Sequence, residues 1–160
     1  MGTHYRGDEQ EVRALNAYIK LVRASNTATQ RIHRHLAEAK LTISQFWVLE
    51  MLYHLGPLPH CEIARKLLQT GGNVTMIINN LERRGLVERK RSSKDRRRVA
   101  VTLSGQGHRL ISEIFPRQAK EIVREMESLT ASEQEELGRL CKKLGRSRKD
   151  NLSDCKEDLA

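Results

Sequence analysis

The period of the apolar residues switches from helix to strand at one place in this chain, and that switch constrains the fold more than any other feature. Val74, Ile77, Ile78 and Leu81 stand at offsets 0, 3, 4 and 7, one stripe of an amphipathic helix. Past Gly85 the helical period stops. Val99, Val101 and Leu103 alternate with Arg98, Ala100 and Thr102, which is the period of a half-buried strand. Residues 86–91 form a second candidate strand. Between the two lie Ser92, Ser93, Lys94 and Asp95, polar and turn-forming. A helix followed at once by a two-stranded hairpin with a basic tip is the expectation.

The segments on either side read as helical. Residues 8–40 contain no proline and no internal glycine. Their apolar positions Leu15, Ile19, Val22, Ile32 and Leu36 have helical spacing, with a polar break over residues 26–29. One long, bent helix is expected, with a stripe better suited to pairing with another helix than to a fully buried core. Thr42 and Gln45 form a capping box that opens a second helix, whose core face is Phe46, Leu49, Met51 and Leu52. Gly56, Pro57 and Pro59 stop it. A short helix over residues 61–68 should turn Ile63, Ala64, Leu67 and Leu68 inward. Thr70 should cap the striped helix, and Gly85 should end it in a left-handed conformation. After Gly105 and Gly107 a long helix carries Leu110, Ile114, Ile122, Val123 and Met126, with a kink expected at Pro116. Thr130 and Glu133 cap a last helix bearing Leu137, Leu140, Cys141 and Leu144. Residues 1–7 and those from 145 onward read as loosely held ends. The fold class that follows is mainly α with a small two-stranded β-wing: a winged helix-turn-helix with long N- and C-terminal dimerisation helices. Residues 1–40 are assigned to an N-terminal dimerisation region, 41–104 to the winged domain, and 105–160 to C-terminal dimerisation helices and a polar tail.

The striped helix leaves Asn73, Thr75, Met76 and Asn79 on its other face. A polar helical face is usually no more than a solvated one. A major groove about 12 Å wide, however, admits one helix, and needs a polar face outward with an apolar face anchored behind it. Asn can pair with the edge of adenine, and the methyls of Thr and Met can touch that of thymine. At the N terminus, Thr70 and the small Gly71 and Gly72 allow a phosphate to approach closely. The net charge of the 160 residues is +9, yet residues 82–98 alone carry a net +6. Charge runs too are often only solvated surface. Here Arg91, Lys94, Arg96, Arg97 and Arg98 cluster where a hairpin beside the helix would meet phosphates, and an arginine at the tip can enter the minor groove. Asp95 can orient Arg97 through a paired fork. The conjunction of helix-turn-helix and basic hairpin favours double-stranded DNA as the partner.

Other classes fit less well. Aromatic residues are 4% of the chain, too few for a base-stacking RNA platform. Gly71 and Gly72 lack the Lys-Ser/Thr that completes a phosphate loop, and no nucleophile–base or paired-carboxylate spacing emerges, so no enzyme and no cofactor are expected. Cys61, Cys141 and Cys155 match no zinc or disulfide spacing. His54, His60, Cys61 and Glu62 lie close together, yet no pair has the i, i+4 spacing of a helix-borne metal site. Cys61, near a helix start, offers a redox-sensing alternative. A helical protein-interaction adaptor is the other, though it would have no use for the basic hairpin. No stretch approaches the ~20 apolar residues of a membrane span. A cytoplasmic location is expected.

The sequence resembles the MarR family of transcription regulators. The resemblance is carried by Leu41-Thr42-Ile43-Ser44-Gln45-Phe46, by Thr70-Gly71-Gly72-Asn73-Val74-Thr75, by Leu81-Glu82-Arg83-Arg84-Gly85-Leu86-Val87, and above all by Asp95-Arg96-Arg97-Arg98-Val99-Ala100-Val101-Thr102-Leu103-Ser104-Gly105-Gln106-Gly107. It spans about residues 11–145. It implies a homodimer built by the terminal helices, a recognition helix over residues 70–84, and a wing arginine at Arg97. It also implies a small-molecule or oxidant signal that loosens DNA binding, most simply from a repressor. One branch of that family senses peroxide through a cysteine near the start of the first helix, and this chain has none there.

Overall fold

A computed structural model describes residues 3–91 and 99–146. The hairpin tip, with Lys94, Asp95 and Arg96 to Arg98, lies outside the described residues, as does the tail beyond Arg146. The described chain runs α1 (Glu9–Ile32), α2 (Ile43–Leu55), β1 (Leu58–Pro59), α3 (His60–Leu67), α4 (Gly71–Arg83), β2 (Val87–Arg91), β3 (Val99–Leu103), α5 (Gly105–Met126) and α6 (Ala131–Arg146).

Capping chemistry sets most of the helix starts. Asp8 accepts from the Glu11 amide while the Glu11 carboxylate returns to the Asp8 amide. Thr42 and Gln45 form the expected box, at 3.2 and 3.0 Å, and Thr130 and Glu133 form another. Ser104 caps α5 by accepting from the Gly107 amide and donates to the Gly85 carbonyl, tying the end of β3 to the end of α4. Gly85 takes φ +67°, as its place after α4 requires.

Four expectations are corrected. The first helix does not reach residue 40: α1 stops at Ile32, a 3-10 turn covers Arg34–Ala37, and Lys40 takes φ +52°. That turn lets Leu36 and Leu41 drop into the core. Leu68 does not face inward. It closes α3 in a left-handed conformation with 73% of its surface exposed. The sheet has three strands rather than two, in the order β1-β3-β2, all antiparallel. Leu58 and Pro59 pair with Val101 and Ala100, so the segment that ends α2 also edges the wing. The edge suits Pro59, whose missing N–H would break a central ladder. Thr70 does hold the N-cap position of α4, but its side chain makes no capping bond.

One core unites the winged half. Phe46, Val48, Leu49 and Leu52 of α2 meet Ile63 of α3, the α4 stripe, Val87 and Val101 of the sheet, and Ile111 of α5. Gly107 makes this possible, because a methyl group at that position would land on the Leu86 carbonyl oxygen. Helix α5 runs through Pro116 without ending and packs on both α1 and α2. Helices α1 and α6 bury no residue.

Candidate nucleic-acid interface

Helix α4 is anchored as the sequence requires. Val74, Ile78 and Leu81 are fully buried and Ile77 nearly so, while Asn73, Thr75, Met76 and Asn79 are exposed on the other side. The anchoring removes rotational freedom, so the outward face is fixed before any duplex arrives. At the N terminus the first-turn amides have no intrahelical acceptor, and the Thr70 hydroxyl supplies none. Space around Gly72 is open, with no atom beyond its chain neighbours and its own helix backbone within 4 Å of where a Cβ would stand.

Three of the four outward side chains are held by neighbours. Asn73 Nδ2 donates to Gln69 Oε1 at 3.0 Å. The Thr75 hydroxyl donates to the Gly71 carbonyl at 3.0 Å and lies 2.9 Å from His60 Nε2 at the start of α3. Asn79 Oδ1 accepts from Arg89 Nη2 at 2.5 Å, and the other arm of Arg89 pairs with Glu82. Met76, 57% exposed, is the apolar member of the face. Arg89 reaches from β2, so the wing and α4 are joined by a side-chain clamp as well as by the core.

Of the expected site residues, Thr70, Gly72, Asn73, Thr75, Met76 and Asn79 lie together along the exposed side of α4. Arg91 ends β2 opposite Val99. Lys94, Asp95 and Arg97 lie outside the described residues. Sequence reading passed over Gln69, His60 and Arg89 as neighbours of the outward side chains. Gln69 stands four residues before Asn73, a helical spacing that makes it findable. The other two contacts join separate elements, and no periodicity signals them.

Cys61 is an exposed free thiol, the second residue of α3. Among the described residues no three His, Cys, Asp or Glu side chains gather as a metal site, and no helix is long and apolar enough to cross a membrane.

Two cavities lie elsewhere on the described residues. One, of about 500 Å³, lies against α2 and α3 and is walled by Trp47, Met51, Leu55, Leu67 and Leu68. Glu50 also lines it, and burial holds its carboxyl above the usual range despite the opposing pull of His54 and His33. The other, of about 440 Å³, lies between the end of α1 and α5. There Arg117 pairs doubly with Glu38, and Arg31 with Glu125 at 3.1 Å. The Arg117 guanidinium holds the exposed Glu38 carboxyl below its ordinary value.

Comparison with known proteins agrees with this architecture. A sequence profile described as the MarR family matches residues 41–99. The chain is 37% identical to the uncharacterized HTH-type transcriptional regulator YkoM of Bacillus subtilis, over 86% of this chain and 90% of that one. It is 32% identical to the HTH-type transcriptional regulator MhqR of the same organism, over 83% and 92% of the two chains. Among solved structures, BpsR of Bordetella bronchiseptica, described in terms of regulation of its DNA binding by 6-hydroxynicotinic acid, superposes with a TM-score of 0.73. Its sequence is 22% identical, and the match covers 92% of this chain and 100% of that one. At that identity the likeness shows the fold.

Proposed function

This chain belongs to the MarR family of winged helix-turn-helix, DNA-binding transcription regulators, and from that premise we propose that it is a homodimeric repressor of a pseudo-palindromic operator, released by a small ligand. The observation that carries this reading is the pairing of a fixed, polar outward face on α4 with terminal helices that bury nothing in one chain. Isolated helices are marginal in water, and tertiary packing of an apolar face supplies most of their stability. Yet α1 and α6 expose Tyr18, Leu21, Leu137, Leu140 and Leu144, and the C-terminal half of α5 exposes Ile122 and Val123. A second copy of the chain covers these faces in our reading. It also sets the two α4 helices about 34 Å apart, matched to half-sites about 10 bp apart.

In this division residues 41–104 read DNA, while 1–40 and 105–160 make the dimer. Asn73, Thr75, Met76 and Asn79 contact base edges. Thr70 and Gly72 meet a phosphate at the helix start, and Arg91, Lys94 and Arg97 meet the backbone and minor groove with Asp95 orienting Arg97. Phosphate contacts position the protein and the α4 face specifies the sequence. The effector sits in the apolar cavity against α2 and α3, where it can bias the spacing of the two winged halves through unequal affinity for two states. BpsR offers a precedent for small-molecule control on this fold.

The test is selection of bound duplexes from fragmented genomic DNA, followed by a salt titration on the recovered site. The expected result is a pseudo-palindrome bound by a dimer, with affinity falling steeply as salt rises. Arg97→Ala should weaken that binding strongly while leaving the dimer intact. Weak binding that ignores sequence, unchanged by reductant or by a chelator, would refute the operator reading.

A further inference from the structure

We propose that Arg89, on the wing strand, is a specificity-determining residue that fixes which base Asn79 reads in the major groove. The inference rests on the proposed role of α4 in base contact and goes beyond it.

An asparagine amide carries one acceptor oxygen and one donor nitrogen. Its pairing with adenine uses both, with Oδ1 accepting from N6–H and Nδ2 donating to N7. In this protein the acceptor half is engaged. Arg89 Nη2 lies 2.5 Å from Asn79 Oδ1, and the guanidinium is held there by the Glu82 carboxylate through its other arm. Asn79 and Glu82 are three residues apart on α4, so the helix offers both ends of the clamp and the planar fork of Arg89 spans them. The arrangement depends on that planarity, because an ammonium is a point charge and cannot hold two acceptors in fixed directions.

Oδ1 keeps a second lone pair, but it lies beside the guanidinium charge, and the group that Asn79 offers freely is its Nδ2 amino group, a donor. The cation behind it repels a base donor such as adenine N6–H and favours base acceptors. Guanine presents two acceptors, N7 and O6, on its major-groove edge. The clamp therefore turns Asn79 from a reader of adenine into a reader of guanine. Its effect is a change of preference at one operator position, with the phosphate contacts left as they were.

The alternative role for Arg89 is a phosphate contact that rests on α4 until DNA arrives. Lysine separates the two roles, because it keeps a charge for a phosphate but, without the fork, no longer holds a cation against Asn79 Oδ1. The experiment is selection from randomised duplexes with the full-length parent, Asn79→Ala, Arg89→Lys and Arg89→Ala, each first checked for its melting transition and mass in solution. The parent should select guanine at one position per half-site, and Asn79→Ala should flatten that position alone. Arg89→Lys should shift the same position from guanine toward adenine, changing the ratio by about tenfold, the scale of one good bidentate pair. Its affinity for random DNA and its salt slope should match the parent. If Arg89→Ala fails to fold, Glu82→Gln takes its place, since it weakens the anchor and should shift the position in the same direction.

Two results overturn the proposal and leave the α4 reading standing: adenine at the Asn79 position in the parent, or Arg89 variants with unchanged preference while Asn79→Ala flattens it. If Asn79→Ala changes no position, the reading of the α4 face and the proposal fall together.

Discussion

Helix α2 has 13 residues and buries four of its side chains, whereas α1 has 24 and buries none. Both begin with a complete capping box, so the chemistry of the helix start does not separate them. The difference lies in what each packs against. Helix α2 is enclosed by α3, α4, α5 and the sheet, while the contacts of α1 are mainly with α5. The winged half thus carries most of the buried core among the described residues, and in the proposal above the terminal helices complete theirs across an interface between two copies. This contrast teaches where stability and assembly reside: substitutions in one half should be felt as unfolding, and in the other as dissociation.

The largest expected effect tests the first half. Phe46 is 1% exposed at the centre of the winged core. Phe46→Ala should cost about 3–5 kcal/mol, the transfer term plus the cavity left behind. Against a total stability of about 5–15 kcal/mol for a typical domain, that is a large share. Urea denaturation at fixed protein concentration reads it as a lower midpoint. A loss below about 1 kcal/mol would mean that the two halves are not distinguished by burial in the way described here.

Next in size is a substitution on the other half. Leu140 of α6 is 47% exposed in the single chain. In a two-fold dimer each substitution counts twice. Leu140→Ala should weaken association on the order of a hundredfold, from about 1.5 kcal/mol or more per buried side chain on each protomer. Sedimentation across a concentration series measures this, and operator affinity should fall with it. The winged core should melt as before once both proteins are compared as monomers. An unchanged dimer constant would remove Leu140 from the interface.

The same contrast explains what could be read in advance. The α4 stripe, the Thr42 and Thr130 boxes and the Gly85 turn are local signals, written within a few residues, and the structure carries all of them. Leu68 misled because the stripe of α3 continues through it, while nothing in the sequence announces that the chain turns left-handed there. Strand β1 was hidden because Pro59 reads as a helix stop and because its pairing with Val101 and Ala100 crosses more than forty positions. Within the site, the outward face of α4 was legible as the complement of the buried stripe. The side chains that hold it, His60 and Arg89, come from α3 and β2, and only the packed core brings them near.

A smaller effect is expected where the halves meet. Arg84, just past α4, donates to the Lys40 carbonyl at 2.7 Å and to the Ala39 carbonyl at 3.0 Å. It fastens the end of the helix that we assign to base reading to the link between α1 and α2. Arg84→Ala should cost about 1 kcal/mol, a charge-assisted pair of bonds discounted for partial exposure. If this link couples the halves, the variant should also blunt the response of DNA binding to whatever ligand releases the parent. Chemical denaturation and ligand titration on the recovered operator check the two parts separately. Full stability in the variant would show that solvent replaces the contact.

The finest probe of the contrast is pH, because His35 at the end of the α1 segment and Glu50 in the winged half are shifted by burial in opposite directions. His35 sits in the 3-10 turn that ends the α1 segment, with Nδ1 3.1 Å from the Ile32 carbonyl. Burial, and then the Arg117 charge, hold its pKa below 6.5, while the Ile32 carbonyl and Glu121 pull it upward and His33 pushes it down. Its folded value is thus below the unfolded one. The neutral ring contributes stability that is present above about pH 6.5 and lost as pH falls through the folded value. Glu50, in the winged half, is held above 4.5 by burial. Its contribution is present below the unfolded value and lost as pH rises through the folded one. His35→Gln should therefore flatten the decline in melting temperature on acidification below pH 6.5. Glu50→Gln should raise the melting temperature near neutrality and have less effect in acid. Melting curves of the parent and both variants between pH 4 and 8 measure the two together. If His35→Gln tracks the parent through the acid limb, the junction of α1 with α5 does not bury its histidine strongly enough to distinguish it from a solvated one.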